Sequence, residues 1–192
     1  MNNASKILLS KKTVFTINDM QKILATPNKE YARLSLFRLK KTWLLDNPIS
    51  WIFTIKDYDI FEFASKLISP SYISFESILQ KSGIIFQDYS HTVTVASKNS
   101  IKKNIDGINY EYHKLSDKIL INPLGILNFE NKYMIASPER AVCDMIYLYK
   151  NINFDNIRSL SIEKLENLKY IYNKTTNLSI DKLIKNVRLV NS

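Results

Sequence analysis

Five basic side chains lie close together near the start of this chain, within a segment of 13 residues. They are Lys29, Arg33, Arg38, Lys40 and Lys41. Basic side chains at this density favour contact with the phosphates of nucleic acid, because each contact replaces counterions condensed on the backbone. Tyr31 belongs to the same segment, and Asn28 directly precedes it. We therefore predict a binding site for double-stranded DNA made of Asn28, Lys29, Tyr31, Arg33, Arg38, Lys40 and Lys41.

The positive charge is concentrated toward one end of the sequence. The chain has 192 residues and a net charge of +9. Residues 1–56 contain ten Lys and Arg against three Asp and Glu, whereas residues 57–192 contain 17 against 15. A coding bias toward Lys, Asn and Ile would raise the charge along the whole chain. The contrast between the two segments therefore favours a basic site in the first.

Two predicted helices would position these basic residues. Thr16 and Asp19 have the spacing of a capping box, which predicts the start of a first helix. Asn28 can cap a second helix that runs from Lys29 to about Lys41. The inward face of the second helix is predicted from its helical spacing to contain Ala32, Leu36, Leu39 and Trp43. Its outward face would contain Tyr31, Leu34, Arg38 and Lys41.

A β-hairpin is predicted after the second helix, with Asn47 and Pro48 at its turn and residues 51–55 as its second strand. Two helices followed by a hairpin is the order of a winged helix-turn-helix domain, whose second helix enters the major groove. Two other interpretations stay open. Lys40 and Lys41 can stabilise the helix through its dipole, and a winged helix can bind protein instead of DNA.

The remaining sequence predicts a second domain that mixes helices and strands. Helices are predicted over 57–68, 75–81 and 138–150 and in pieces after 154, and strands over 92–96, 108–115, 118–121 and 132–135. The dipeptide Asp106-Gly107 predicts a hairpin turn. We therefore predict an α+β protein with two domains. Residues 1–56 would form a winged helix-turn-helix, and residues 57–192 a mixed α/β C-terminal domain.

Two blocks of this second domain resemble the AbiEi-type antitoxins. The first block is SPSYISFESILQKSGII at residues 69–85, and the second is IASPERAVCDMIY at residues 135–147. The predicted strands over residues 92–96 and 107–113 fall where that family has strands. Together with the predicted winged helix, the resemblance spans roughly residues 10–150.

The resemblance implies a transcriptional repressor that is also the antitoxin of a type IV toxin–antitoxin operon, which acts in abortive phage infection. The N-terminal domain would bind repeats in its own promoter, and the C-terminal domain would be needed for antitoxicity. The implied partner is a nucleotidyltransferase-like toxin, often without a stable complex. A second hypothesis is an antitoxin that acts by direct contact with its toxin.

Cysteine and histidine residues are few in this sequence. It contains one cysteine, Cys143, and two histidines, His91 and His113, and nothing beside them forms a recognisable nucleophile–base motif. We predict no enzymatic activity, no cofactor and no metal site. One enzymatic alternative is a nuclease in which Asp106 and Glu111 bind Mg²⁺, although Asp106-Gly107 is better explained as a turn.

The sequence predicts a different role for each of three residues in the 138–150 helix. Cys143 is predicted to be a small buried hydrophobic residue, Arg140 a basic residue at the surface, and Asp144 a polar anchor for neighbouring backbone. We also expect a cytoplasmic protein. No signal peptide is recognisable after Met1, and no apolar run approaches the roughly 20 residues of a membrane span.

Overall fold

A computed structural model of the chain describes residues 2–150 and 152–191. Over those residues the chain forms nine α-helices, one short 3-10 helix and nine β-strands in two sheets, which confirms the predicted α+β class. None of the helices described is both long and apolar enough to cross a membrane. The chain divides into two compact units between Leu67 and Ile68, here called unit 1 and unit 2.

Unit 1 combines a small sheet with the two predicted helices. Its elements are α1 (Asn3–Leu9), β1 (Val14–Phe15), α2 (Ile17–Leu24), α3 (Lys29–Lys41), β2 (Asp46–Ile49), β3 (Ile52–Thr54) and α4 (Ile60–Leu67). The strands form an antiparallel sheet in the order β1-β3-β2. Strand β1 precedes α2 and α3 in the chain and pairs with β3, which follows them. The sheet therefore joins the two ends of the segment that contains these helices.

Local capping fixes the start of both predicted helices. The Thr16 side chain accepts a hydrogen bond from the Asp19 backbone N–H, and the Asp19 carboxylate accepts one from the Thr16 backbone N–H, which confirms the capping box. The Asn28 side chain accepts a hydrogen bond from the Tyr31 N–H at 2.9 Å. Helix α3 then runs over the predicted residues.

The core of unit 1 confirms most of the predicted inward face of α3 and corrects one member. This core contains Ile7, Phe15, Met20, Leu24, Ala32, Leu36, Leu39, Leu45 and Phe53. The prediction that Trp43 packs inward is wrong, because its side chain is 91% exposed. Helix α3 ends at Lys41 and Trp43 has a φ of +58°, so the helical spacing no longer applies there. Leu45 enters the core instead.

The hairpin forms, but its turn lies later than predicted. Asn47 and Pro48 belong to strand β2, and the turn is made by Ser50 and Trp51. Proline has no N–H to donate, and the pairing of β2 with β3 is irregular between Asp46 and Ile49. The Asn47 side-chain amide donates to the backbone carbonyls of Ile49 and Ile52, which supports the strand at this irregularity.

Buried Asp19 joins three parts of unit 1. Its carboxylate accepts hydrogen bonds from Lys12 at 2.8 Å and from Lys66 of α4 at 2.7 Å, in addition to the Thr16 cap. Burial alone would raise the pKa of Asp19, but the hydrogen bonds from the two lysines and Thr16 lower it well below its usual range. The carboxylate is therefore ionised and fully paired where α2 meets α4.

Helix α4 groups with unit 1, although the predicted domain boundary lies before it, after residue 56. This changes the charge comparison, since α4 and the residues before it add three acidic side chains and one lysine. Residues 1–67 contain eleven Lys and Arg against six Asp and Glu, and residues 68–192 contain 16 against 12. The prediction of a basic site therefore depends on where the basic residues lie within unit 1, and not on the net charge of that unit.

Unit 2 is built on a mixed six-stranded sheet. Its elements are β4 (Ser71–Ile73), α5 (Glu76–Lys81), β5 (Thr92–Ser97), β6 (Ile101–Ile105), β7 (Ile108–Lys114), α6 (Asp117–Leu120), β8 (Ile126–Phe129), β9 (Tyr133–Ala136), α7 (Pro138–Tyr149), α8 (Ile162–Leu168), a 3-10 helix (Lys169–Ile171) and α9 (Lys174–Asn191). The strand order is β6-β7-β5-β4-β9-β8. Strands β5 and β7 are parallel, as are β4 and β9, and the other pairs are antiparallel.

Most of the strands predicted for unit 2 form. The predicted strands over 92–96, 108–115 and 132–135 correspond to β5, β7 and β9. Asp106 and Gly107 both have positive φ and join β6 to β7, which confirms the predicted hairpin. Residues 118–121 were expected to be extended, but most of them lie in helix α6. Ser116 and Asp117 at its start favour a helix, and four residues are too few for periodicity to decide. Strand β8 has no counterpart in the sequence-based prediction.

Helix α7 carries a buried ionic network, and the expectation that Arg140 lies at the surface is wrong. Arg140 and Asp144 are both fully buried. Arg140 Nε donates to Asp144 at 3.2 Å, and its other nitrogens donate to the carbonyls of Leu124 and Ile119. Burial alone would lower the pKa of Arg140, but the Asp144 carboxylate raises it, so the guanidinium stays charged.

Asp144 was predicted to anchor neighbouring backbone, but its hydrogen-bond partners are side chains. It accepts hydrogen bonds from the hydroxyl groups of Tyr72, Ser74 and Tyr172, at 2.9, 2.8 and 2.6 Å. Together with Arg140 it therefore links α7 to β4, to α6 and to the residues after the 3-10 helix. Cys143, between them, is buried as predicted, and burial raises the pKa of its thiol, which keeps it protonated.

Replacing Arg140 by Met tests this network. The change is expected to lower the free energy of unfolding by about 3–5 kcal/mol, because the Asp144 carboxylate would stay buried without its cation. Urea denaturation followed by circular dichroism measures the effect. The control is Arg158→Met, which removes an exposed guanidinium from the same unit and should change stability by less than about 0.5 kcal/mol. Equal losses in the two variants would contradict the structural role of Arg140.

Candidate nucleic-acid interface

Helix α3 has one buried side and one exposed side. Ala32, Ser35, Leu36 and Leu39 are buried, and the other residues of the helix are exposed. The residues predicted to bind DNA all belong to the exposed set: Asn28, Lys29, Tyr31, Arg33, Arg38, Lys40 and Lys41. Within α3, five exposed side chains are basic and one, Glu30, is acidic. The basic side chains are therefore free to meet an external polyanion.

Arg33 is held in place by contacts within its own helix. It forms an ion pair with Glu30 one turn earlier, with a nitrogen–oxygen distance of 3.0 Å. The hydrogen bond from Arg33 lowers the pKa of Glu30. Both side chains are exposed, so water screens the pair. A phosphate could replace the Glu30 carboxylate as the partner of Arg33 without breaking a buried contact.

One flank of α3 contacts the hairpin. Phe37 packs edge-on against Phe53 of β3, with ring centroids 5.3 Å apart. The guanidinium carbon of Arg33 lies 5.7 Å from the centre of the Phe37 ring, and Lys40 Nζ lies 3.4 Å from the side-chain oxygen of Asn47 in β2. Arg33 and Lys40 are therefore the basic residues of the hairpin side.

The other flank of α3 contacts α1. The Asn3 side chain donates a hydrogen bond to the Ser35 hydroxyl at 3.1 Å. Arg38 lines a shallow depression of about 440 Å³ with Asn3 and Thr42. Tyr31 lies two turns before Arg38 and so shares its side of the helix. Basic residues therefore border the exposed face on both flanks, with Lys41 near the middle of the face.

Asn28 has a structural role that its position in the sequence already indicates. Its side-chain oxygen is occupied by the N-cap hydrogen bond to Tyr31. The backbone N–H groups at the start of α3 lie beside it, and the helix dipole makes this end attractive to anions. Asn28 therefore orients the first turn of the candidate interface.

Two tryptophans near this face were not predicted as surface residues. Trp43 is 91% exposed and Trp51, in the hairpin turn, is 49% exposed. Trp43 lines a shallow depression of about 490 Å³ with Phe37, Lys40 and Lys41. The predicted end of α3 near Lys41 could have indicated that Trp43 is exposed, because a residue beyond a helix need not follow the helical period.

The residues of the nuclease alternative lie in one hairpin. Asp106 is in the turn between β6 and β7, and Glu111 lies in β7, where its carboxylate pairs with Lys102 at 2.9 Å. Over the part of the chain that the structure describes, no cluster of three or more His, Cys, Asp and Glu side chains could hold a metal ion.

Comparison of the sequence with models of known protein families and with curated proteins gives no match in either case.

Replacing Asn28 separates helix capping from other roles of this residue. Asn28→Ala is expected to lower the free energy of unfolding by about 1 kcal/mol, since the Tyr31 N–H loses its side-chain acceptor. Asn28→Ser keeps a capping oxygen and should restore most of that stability. Thermal denaturation of both variants measures the difference. Equal stability of the Ala and Ser variants would mean that the cap contributes nothing.

Proposed function

We propose that this protein is a DNA-binding transcriptional repressor that also serves as the antitoxin of a type IV toxin–antitoxin operon. In this proposal unit 1 is a winged helix-turn-helix domain that binds repeats in its own promoter. Helix α3 is the recognition helix, and the β2-β3 hairpin is the wing. The partner is a nucleotidyltransferase-like toxin, and both act in the cytoplasm.

The order and pairing of elements in unit 1 support a winged helix. A strand precedes the helix pair, a hairpin follows it, and all three strands join in one sheet. Helix α3 has 13 residues and is about 20 Å long, which suits the major groove of B-DNA, since that groove admits one helix. The hairpin lies beside Arg33 and Lys40, where a wing would follow the phosphate backbone.

The observation that carries the proposal is the exposed basic face of α3. The core fixes Ala32, Leu36 and Leu39 inward, so Lys29, Arg33, Arg38, Lys40 and Lys41 point away from it. Basic residues on both flanks of a helix could contact the phosphates on the two sides of a groove. The candidates for contact with the groove or the phosphates are Lys29, Tyr31, Arg33 and Arg38, and those for phosphate contact are Lys40 and Lys41.

The antitoxin part of the proposal is supported by the sequence resemblance alone. The two resembling blocks lie in unit 2, over β4 and α5 and over the end of β9 and most of α7. The second block contains Arg140 and Asp144, which are buried. Those two residues therefore support the fold of unit 2, and antitoxicity would depend on other parts of its surface. Growth rescue of cells expressing the neighbouring open reading frame tests this part.

The double variant Arg33→Ala plus Arg38→Ala tests the DNA-binding part. It is expected to abolish binding to the DNA upstream of its own gene while the fold stays intact. Each lost phosphate contact should lower the salt slope of binding by about one unit, and each lost base contact should cost about 1–3 kcal/mol. Fluorescence anisotropy over a series of salt concentrations measures both quantities.

The matched control for this test is Lys185→Ala plus Arg188→Ala, which removes two exposed basic residues from α9. The control should bind the same DNA as the unsubstituted protein does. If the α3 double variant keeps full affinity and an unchanged salt slope, α3 is not the DNA-binding element.

A second candidate function is direct contact of unit 1 with the toxin. The observation in its favour is the exposure of Trp43 and Phe37, which line one shallow depression at the end of α3, and of Trp51 in the hairpin turn. Tryptophan and tyrosine dominate the binding energy of many protein interfaces. Such a partner would bind the same region that the first proposal assigns to DNA.

Trp43→Ala distinguishes the two candidates. If unit 1 binds the toxin, this variant should lose co-purification with the neighbouring gene product, whereas DNA affinity and thermal stability stay unchanged because Trp43 is almost fully exposed. The matched control is Tyr170→Ala, which removes an exposed aromatic side chain from unit 2. A complex that forms equally well with both variants would exclude Trp43 from a toxin-binding surface.

A further inference from the structure

Unit 2 contains a cavity whose chemistry differs from that of the rest of this basic protein. Its volume is about 280 Å³, and it is lined by the start of α5, the segment after it, the end of α7 and residues 152–155. The acidic residues in its wall are Glu76 and Asp155. Among the residues described, none of its lining side chains is basic.

Glu76 is the most informative residue of this cavity. Its side chain begins helix α5 and is only 9% exposed. Its oxygen Oε2 is buried and has no hydrogen-bond partner within the described part of the chain. A carboxylate oxygen that is removed from water without a partner costs free energy. Glu76 also lines the cavity, so a cationic ligand there would pair with its carboxylate.

Asp155 brings a second carboxylate to the same cavity in a fixed position. Its side-chain oxygen Oδ2 accepts a hydrogen bond from the Phe86 N–H at 2.8 Å, and its own N–H donates to the Ile84 carbonyl at 2.9 Å. These contacts tie residues 152–155 to the segment after α5. The Asp155 carboxylate is therefore held in the cavity wall by a backbone contact that does not depend on a ligand.

Aromatic and apolar side chains complete the cavity. Tyr89 and Tyr149 contribute rings, and Met145 contributes its thioether. The Tyr89 hydroxyl is fixed by donating to Gln87 at 3.0 Å. Burial raises the pKa of both tyrosines, and the Glu76 carboxylate in the same wall raises it further. Aromatic faces beside carboxylates bind organic cations through cation–π and ionic contacts.

We propose that this cavity binds a small organic cation with a guanidinium or primary ammonium group. The charged group would pair with the carboxylates of Glu76 and Asp155, and its carbon chain would lie against the rings of Tyr89 and Tyr149. An organic cation fits better than a bare metal ion, because a metal would need more oxygen ligands than two carboxylates supply. This site is independent of the DNA-binding surface proposed for α3.

Isothermal titration of the full chain with agmatine tests the proposal, since agmatine carries both cationic groups on a short chain. Agmatine is expected to bind the unsubstituted protein. Glu76→Gln should weaken binding at least about tenfold, because a charged hydrogen bond is replaced by a neutral one. Tyr149→Leu should weaken it about two- to tenfold, because the carbon chain of the ligand loses its contact with the aromatic ring.

The matched control is Glu163→Gln, which neutralises an exposed first-turn glutamate of α8 and should leave agmatine affinity unchanged. Circular dichroism checks that each variant is folded, and if Glu76→Gln is not, Tyr149→Leu decides the outcome. The proposal is overturned if agmatine does not bind, if it binds all variants equally, or if only MgCl₂ gives a heat of binding.

Discussion

The packing of α3 against the core of unit 1 is the constraint on which the candidate interface depends. Ala32, Leu36 and Leu39 occupy one side of the helix and contact apolar residues of α1, α2 and the sheet. Burial of that side is favourable by roughly 25 cal/mol per Å² of apolar surface, which fixes the rotation of α3 about its axis. Once the rotation is fixed, Arg33 and Arg38 must lie on opposite flanks of the exposed face.

The two units differ in which charged side chains are buried and in how these are paired. In unit 1 two acids are buried. Asp19 is paired with Lys12 and Lys66, and Glu62 accepts hydrogen bonds from Thr13, while the basic residues of α3 stay in water. In unit 2 a whole ion pair, Arg140 with Asp144, is buried and satisfied by hydroxyl and carbonyl groups. A buried pair of this kind adds specificity of packing more than net stability. The exposed charges remain available for binding.

Much of the fold could be predicted, because its signals are local. The capping box at Thr16, the Asn28 cap and the Asp106-Gly107 turn are decided by neighbours within a few residues. The prediction for Trp43 is wrong because it extends the helical period two residues beyond the end of α3 at Lys41. The prediction that Arg140 lies at the surface is wrong because arginine is rarely buried without partners. Its partners lie up to 68 residues away in the sequence, where no local pattern indicates them.

The sequence by itself determined which residues are basic, where the main helices begin, and that α3 has a polar and an apolar side. These properties follow from side-chain chemistry and from contacts within one or two helical turns. Only the tertiary structure decided that α4 belongs to unit 1, that Arg140 is buried and that Glu76 and Asp155 share a cavity. Each of these depends on packing between segments far apart in the chain, which no local pattern encodes.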